Sequence, residues 1–294
     1  MIFTCTTVVV SERAGEYHSF LRIADMHELH TTRFARNLSV FLIVACVAAL
    51  FALYTDHTWE DYYITYRSSH NLATGHGLVF NHGDKLHTFT SPIGVLLPAA
   101  ACFVTGNTSE SSALWVYRGL SIVAFAGAAT LLFAAATRLR YPVVAACALV
   151  GWLCTDAKSV DFTINGMEIG FLLLFFAYSF WALFEPMSAS RRIWHLGVAW
   201  SGLMWTRPDG FIYIALFHGA FVVFNRQAET GASRTEWLLL FLRAALLAVV
   251  LYLPWVLFTW QYYGSPVPHT IIAKAGAAKP KTLIGFVNFL PHFP

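Results

Sequence analysis

Charge is what this sequence has least of. Only 12% of its 294 residues are Asp, Glu, Lys or Arg, about half the share found in ordinary soluble chains. There is no basic run, and a net charge of +3 is too small to argue for a nucleic-acid partner. The cysteines are few and odd in number, five in all, with no CxxC spacing; all but Cys5 (Cys46, Cys102, Cys147 and Cys154) sit in apolar stretches. They read as small core residues rather than bridges or metal ligands. Internal repeats, low-complexity tracts and a closing polar tail are also missing. The chain ends at VNFLPHFP, which reads as a fragment or a shortened member of something longer.

What is present is apolar. Hydrophobic residues make up 57% of the chain and the mean hydropathy is +0.57, in long blocks separated by polar loops. A soluble domain of this size could not hide so many apolar side chains. A soluble enzyme, a disordered chain and a disulfide-stapled secreted module are therefore excluded. The sequence specifies an all-α polytopic membrane protein, since helices satisfy their own backbone in lipid.

Residues 1–37 form a polar tail carrying Arg13, Arg22, Arg33 and Arg36, and 38–54 (LSVFLIVACVAALFALY) is the first span. The leader is long for a signal peptide, so an uncleaved anchor with a cytoplasmic N-terminus is expected. The segment 92–105 (PIGVLLPAAACFVT) fixes everything after it. Its 14 residues fall short of the roughly 20 that a span needs. If it crossed, Arg138 with Arg140, Arg191 with Arg192 and Arg226 with Arg234 would all lie outside. If it lies along the surface, all three pairs fall inside, as the positive-inside rule prefers. A surface-lying or re-entrant helix is therefore expected, followed by spans at 113–136, 142–155, 167–184, 193–206, 210–225 and 237–258. That makes about seven in a 38–258 membrane domain, with 142–155 and 193–206 short enough to borrow flanking residues or thin the bilayer. The segment 259–294 is a further outer segment.

This topology gathers the polar candidates on one side. Glu60 and Asp61 follow the first span directly, where partial desolvation and a neighbouring carboxylate raise a pKa toward that of a general base. They also read simply as solvated loop carboxylates. Asn81-His82-Gly83-Asp84 predicts a small hairpin with a Gly-containing turn. Six histidines lie outside (His57, His70, His76, His82, His87 and His269), without HxxxH spacing, so loop packing outweighs a zinc site. Glu168 opens a span, where a helix N-terminus alone would favour it. Arg207-Pro208-Asp209-Gly210 is a turn whose charged pair sits at the membrane edge. Lys274 lies in the last outer segment. Arg118 falls inside a span, roughly 7 Å from its outer end, either snorkelling or functional. Arg243, near the inner end of its span, reads as snorkelling. Together these carboxylates and cations suit a phosphate-bearing lipid and a hydroxyl acceptor.

The run from Glu60 to Pro92 resembles the first outer loop of GT-C class membrane glycosyltransferases, with the terminal arabinofuranosyltransferase branch most similar. Protein O-mannosyltransferases and lipid A aminoarabinose transferases are more distantly similar. The matching positions are Glu60, Asp61, Tyr63, Ile64, Thr65, Arg67, Asn71, Leu72, Gly75, Gly77 to Asn81, Gly83 and Thr90 to Pro92. Later signatures follow in order: Gly166-Met167-Glu168, Arg207 to Gly210, then Gly264, Pro266, Pro268, Thr270 and Lys274. The likeness covers about 54–276. Glu60 stands where Asp is commoner, and Ser68 where an aromatic is usual. The later spans and outer C-terminal domain of longer members have no counterpart here.

The resemblance implies transfer of a sugar from a polyprenyl-phosphate donor to a glycan, lipid or protein hydroxyl, with inversion, outside the cytoplasm of a bacterial plasma membrane. Glu60 or Asp61 would be the base. Arg118, Arg207 and Lys274 would meet the phosphate; Glu168 and Asp209 would orient the acceptor or those cations; Arg67 and His269 would line the substrate site. No general acid is needed for a phosphate leaving group, unlike in glycoside hydrolysis. No cofactor is required, although a divalent ion between Asp61 and Glu168 is compatible. The rival readings are a transporter or flippase, which calls for charges near the midplane and paired broken helices, and an inactive membrane subunit.

Overall fold

The computed structural model describes residues 31–107, 109–224 and 231–277. These form helices joined by loops, with no strand among them. In chain order they are α1 (Thr31–Thr55), α2 (Glu60–Ala73), α3 (Pro92–Val104), α4 (Glu110–Arg138), α5 (Val143–Thr155), α6 (Ala157–Ile164) and α7 (Ile169–Phe184). Then come α8 (Ala189–Thr206), α9 (Gly210–Phe224), α10 (Arg234–Tyr263) and α11 (His269–Ala277). Most of the expected N-terminal tail, Cys5, Arg226 and residues 278–294 lie outside the described residues.

A helix falls on each of the seven expected spans. By length and composition, α1, α4 and α10 can cross a membrane. The α5–α6 pair, bent by 67°, would make a fourth crossing if taken as one span. The short 142–155 segment therefore does not extend by straight continuation; it breaks at Asp156 and turns. The outward faces agree with a lipid surround: Leu42, Ile43, Leu242 and Leu246 are between 56% and 67% exposed, a cost in water that vanishes in hydrocarbon.

Two apolar cores knit the bundle. Val44, Ala48 and Ala52 of α1 pack on Phe125, Ala126 and Ala129 of α4, with Val160 and Ile164 of α6 beneath. Leu196, Trp200 and Leu203 of α8 pack on Trp237, Phe241, Ala244 and Ala248 of α10. Small residues set the spacing: a Cβ at Gly202 of α8 would fall on the Phe175 ring of α7. Those contacts fix the helix directions. Arg36 of α1 lies over Phe133 of α4, so these two helices are antiparallel. Gly127 of α4 faces Leu174 of α7 and Gly197 of α8 faces Leu247 of α10. Following the chain, Arg33, Arg36, Arg138, Arg140, Arg191, Arg192 and Arg234 gather at one end of the bundle. The outer-loop candidates gather at the other.

That partition depends on α3, which does not carry the chain across the bundle. Ser91 caps it, accepting from the Gly94 N–H at 2.8 Å, and Pro92 occupies its first turn. It stops at Thr105, where Gly106 and Asn107 both adopt positive φ. Its 13 residues span about 20 Å, short of a ~30 Å hydrocarbon core. Seven of them are buried, against α2, α4 and α8.

The expected hairpin at 81–84 is not there; residues 74–91 form an irregular loop. Side chains take the backbone groups that a strand partner would have used. Asn71 Nδ2 donates to the carbonyls of Val79 and Phe80, His82 Nε2 pairs with Asn71 Oδ1, and the Tyr263 hydroxyl donates to the Leu78 carbonyl.

Among the described residues Arg118 is the largest fully buried side chain. Its guanidinium pairs with Asp56 at 3.3 Å and donates to the His57 carbonyl and to Thr58 Oγ1, while lying 4.7 Å from the Trp115 ring. It fastens α4 to the turn between α1 and α2, where Asp56 is held at φ +40°. Replacing Arg118 with Leu orphans the His57 carbonyl and opens that turn. The expected cost is about 3 kcal/mol, read as a lower melting temperature in detergent; Arg118→Lys, lacking the planar fork, should recover less than half. An unchanged melting temperature for Arg118→Leu contradicts this role.

Candidate active site

A cavity of about 590 Å³ opens at the loop-rich end, lined by Asp61, Thr65, Thr88, Thr90, Ser91, Glu168, Arg207, Asp209 and Thr270 among others. Each charged group comes from a helix terminus. Asp61 lies in the first turn of α2, Glu168 is the N-cap of α7, Arg207 is the C-cap of α8, and Asp209 precedes α9.

Local sequence explains the convergence. The Trp59 N–H donates to the Asn165 carbonyl at 3.1 Å, and Trp59 stacks on Phe162 with ring centres 4.3 Å apart. This ties the start of α2 to the α6–α7 turn. Asn165 is fully buried, its Nδ2 donating to Asp161 Oδ1 at 2.5 Å and to Thr55 Oγ1 at 3.3 Å. Gly166 follows at φ +105°, and a Cβ there would lie 2.8 Å from Tyr62 Cβ. Only glycine fits both the backbone and the space. Two residues later Glu168 enters the cavity wall facing the Asp61 turn.

Arg207 holds the acidic wall together. Its Nε donates to Asp209 Oδ1 at 3.0 Å and one Nη to Asp209 Oδ2 at 3.4 Å, a forked pair. The other Nη reaches Glu168 Oε1 at 3.5 Å. Burial pushes the Glu168 carboxyl above the ordinary range, with Asp61 and Asp209 adding to the rise. Its own backbone N–H and Arg207 oppose it. The Asp209 contacts hold the Arg207 guanidinium above its ordinary value despite burial. The result is a permanently charged cation, half-exposed to the cavity, beside a carboxylate pair and across from Asp61.

The other candidates are placed differently. Glu60, exposed like Asp61, is not part of the cavity wall. Arg118 works in the α1–α2 turn. Arg67 donates to Asn81 Oδ1 at 3.2 Å and lies 4.5 Å from the Phe80 ring, bracing the 74–91 loop. His269 docks α11: its Nδ1 accepts from the His87 N–H at 3.1 Å, and its own N–H donates to the His87 carbonyl at 2.9 Å. Thr270 and Ile271 thereby reach the cavity. Lys274 lies in α11, its side chain outside the described residues. Sequence reasoning gave no role to Asn165, Ser91 or His87. Their importance comes from contacts far apart in the chain, which spacing cannot show.

His87 is 2% exposed, stacked on Tyr263 at 4.8 Å. Burial, with His269 beside it, pushes its pKa down from 6.5 to about 4. The unfolded chain binds this proton near 6.5 and the folded one only near 4. The stability that a neutral His87 confers is complete above pH 6.5 and drains away as the pH falls to about 4. His87→Phe keeps the ring packing and removes the titration. Its melting temperature should fall less steeply than wild type over that interval; parallel slopes contradict the assignment.

Two characterised proteins are similar to this chain. One is a terminal β-(1→2)-arabinofuranosyltransferase of Corynebacterium glutamicum, 27% identical, covering 82% of this chain and 37% of that protein. The other carries the same name in Mycobacterium tuberculosis, 27% identical, covering 82% of this chain and 39% of its own length. The chain thus spans about two fifths of the curated relatives it matches. No protein-family model matches it, and no solved structure does.

Proposed function

We propose that this chain, similar to arabinofuranosyltransferase-like membrane glycosyltransferases, transfers an arabinofuranosyl-type sugar from a polyprenyl-phosphate carrier to an acceptor hydroxyl. The observation that carries the proposal is Asp61 opposite the Arg207–Glu168–Asp209 group in one cavity at the ends of apolar helices. Asp61 takes the acceptor proton as its oxygen attacks the anomeric carbon from the face away from the phosphate, so the configuration inverts. The C–O bond to the carrier breaks with its electrons leaving on the phosphate, and Arg207 stands where that charge develops. Glu168 and Asp209 hold Arg207 in place. The resemblance left Glu60 and Asp61 open; membership in the cavity wall favours Asp61.

Among the described residues no group of three metal-ligating side chains is placed to hold an ion, and Glu168 and Asp209 are both paired with Arg207. No step is routed through a metal. The positive-inside rule supports a cytoplasmic placing of the arginine-rich end of the bundle, and with it an outer-face cavity. The cavity's charges sit at helix ends rather than mid-helix, which speaks against a transporter.

The test is transfer by the purified chain in liposomes containing polyprenyl-phosphate arabinose labelled in the sugar, with an arabinan oligosaccharide as acceptor. The expected result is release of free polyprenyl phosphate matched by labelled, inverted product. Donor left intact with acceptor in excess overturns the reading.

A further inference from the structure

At the opposite end of the bundle from the active-site cavity, a second cavity of about 340 Å³ opens between the N-terminal turns of α8 and α10. We propose that it binds the headgroup of an anionic phospholipid from the leaflet on that side. Arg192, Arg243 and Glu236 are its charged lining residues, with Trp237, Leu239 and Leu240 forming an apolar floor. The balance, two arginines against one glutamate, is +1, which matches a monoanionic phosphodiester better than a multiply charged ligand.

The two arginines differ in what they do. Arg192 Nε donates to the Ala182 carbonyl at 3.2 Å and one Nη to the Glu185 carbonyl at 2.8 Å, which caps α7. Its guanidinium lies 5.2 Å from the Trp237 ring centre. Arg243 has no partner among the described residues. It stands nine residues inside α10, about 13 Å from the helix start, between the exposed Leu242 and Leu246. Its backbone is that deep, and the side chain snorkels toward the helix start to line the cavity, where a headgroup phosphate would meet it. Glu236 does not pair with it: its Oε2 accepts from the Ser233 N–H and hydroxyl in a capping box.

Trp237 backs the cavity, its ring beneath the Arg192 guanidinium. It is 5% exposed, and its buried indole N–H has no acceptor among the described residues. Leu239, half-exposed on the lipid side, leads away along α10 as a path for the acyl chains.

The purified full chain, carried into native mass spectrometry from detergent with defined amounts of phosphatidylglycerol and phosphatidylcholine, tests this. Wild type is expected to retain phosphatidylglycerol at least tenfold better than phosphatidylcholine, and Arg243→Gln to erase that preference. Arg243→Lys, which keeps the charge, should stay within threefold of wild type and shows that the effect is not unfolding. Inorganic phosphate should not compete. Undiminished phosphatidylglycerol retention by Arg243→Gln overturns the proposal. So does equal retention of the two lipids by wild type, or displacement by inorganic phosphate.

Discussion

Asp61→Asn is expected to abolish sugar transfer while leaving donor binding nearly intact. A positioned general base contributes about 10²- to 10⁴-fold to such steps, and the amide keeps the shape of Asp61 without its capacity to take a proton. The loss should therefore fall on kcat, with KM for the polyprenyl-phosphate donor changed less than about threefold, as expected when only the transition-state interaction is removed. Glu60→Gln, one residue earlier and off the cavity wall, should retain more than half of wild-type activity. The contrast separates a catalytic carboxylate from a merely acidic loop. If Glu60→Gln is the dead variant and Asp61→Asn the active one, the cavity has been given the wrong base.

Arg207→Gln is expected to be nearly as damaging, by a different route. Its guanidinium is bound to Asp209 by two hydrogen bonds and to Glu168 by one. Without it the cavity keeps Asp61, Glu168 and Asp209 together with no opposing cation on that wall. Two effects then add: the leaving phosphate loses its electrostatic partner, worth about 10²- to 10³-fold in kcat, and a phosphorylated donor meets a still more negative cavity, raising KM. Burial and the neighbouring carboxylates already push Glu168 upward; losing Arg207 removes one of the forces holding it down. Arg207→Lys keeps the charge but not the fork, so it should restore binding more than turnover. An Arg207→Gln enzyme with unaltered kcat and KM contradicts the assignment.

Much of this was legible from residue order, because the physics involved is local or topological. Lengths of apolar runs and the placing of arginines were enough to deny 92–105 a crossing. The structure gathers Arg138, Arg140, Arg191, Arg192 and Arg234 at one end with Arg33 and Arg36, while Asp61, Glu168, Arg207 and Asp209 meet at the other. Long-range geometry was not legible. Arg118 looked like a phosphate ligand because it is a charge in an apolar helix, yet its partners are backbone and side chains of the turn at 56–58, some 60 residues away in sequence. The alternation around Asn81 looked like a hairpin because period-two patterns predict strands, but Asn71 and Tyr263 had already taken the carbonyls. Between Glu60 and Asp61, neighbouring residues on one helix point about 100° apart, a difference that pattern alone cannot resolve into toward the cavity and away from it.

The most direct measurement is the position of the donor phosphate itself. Cryo-electron microscopy of the purified chain in nanodiscs with a non-hydrolysable polyprenyl-phosphonate sugar should show the phosphonate within hydrogen-bonding reach of Arg207. The sugar should lie toward Asp61, with the polyprenyl tail leaving along the apolar helix faces. Density for the phosphonate anywhere else, with the Asp61–Arg207 cavity empty, would refute the account.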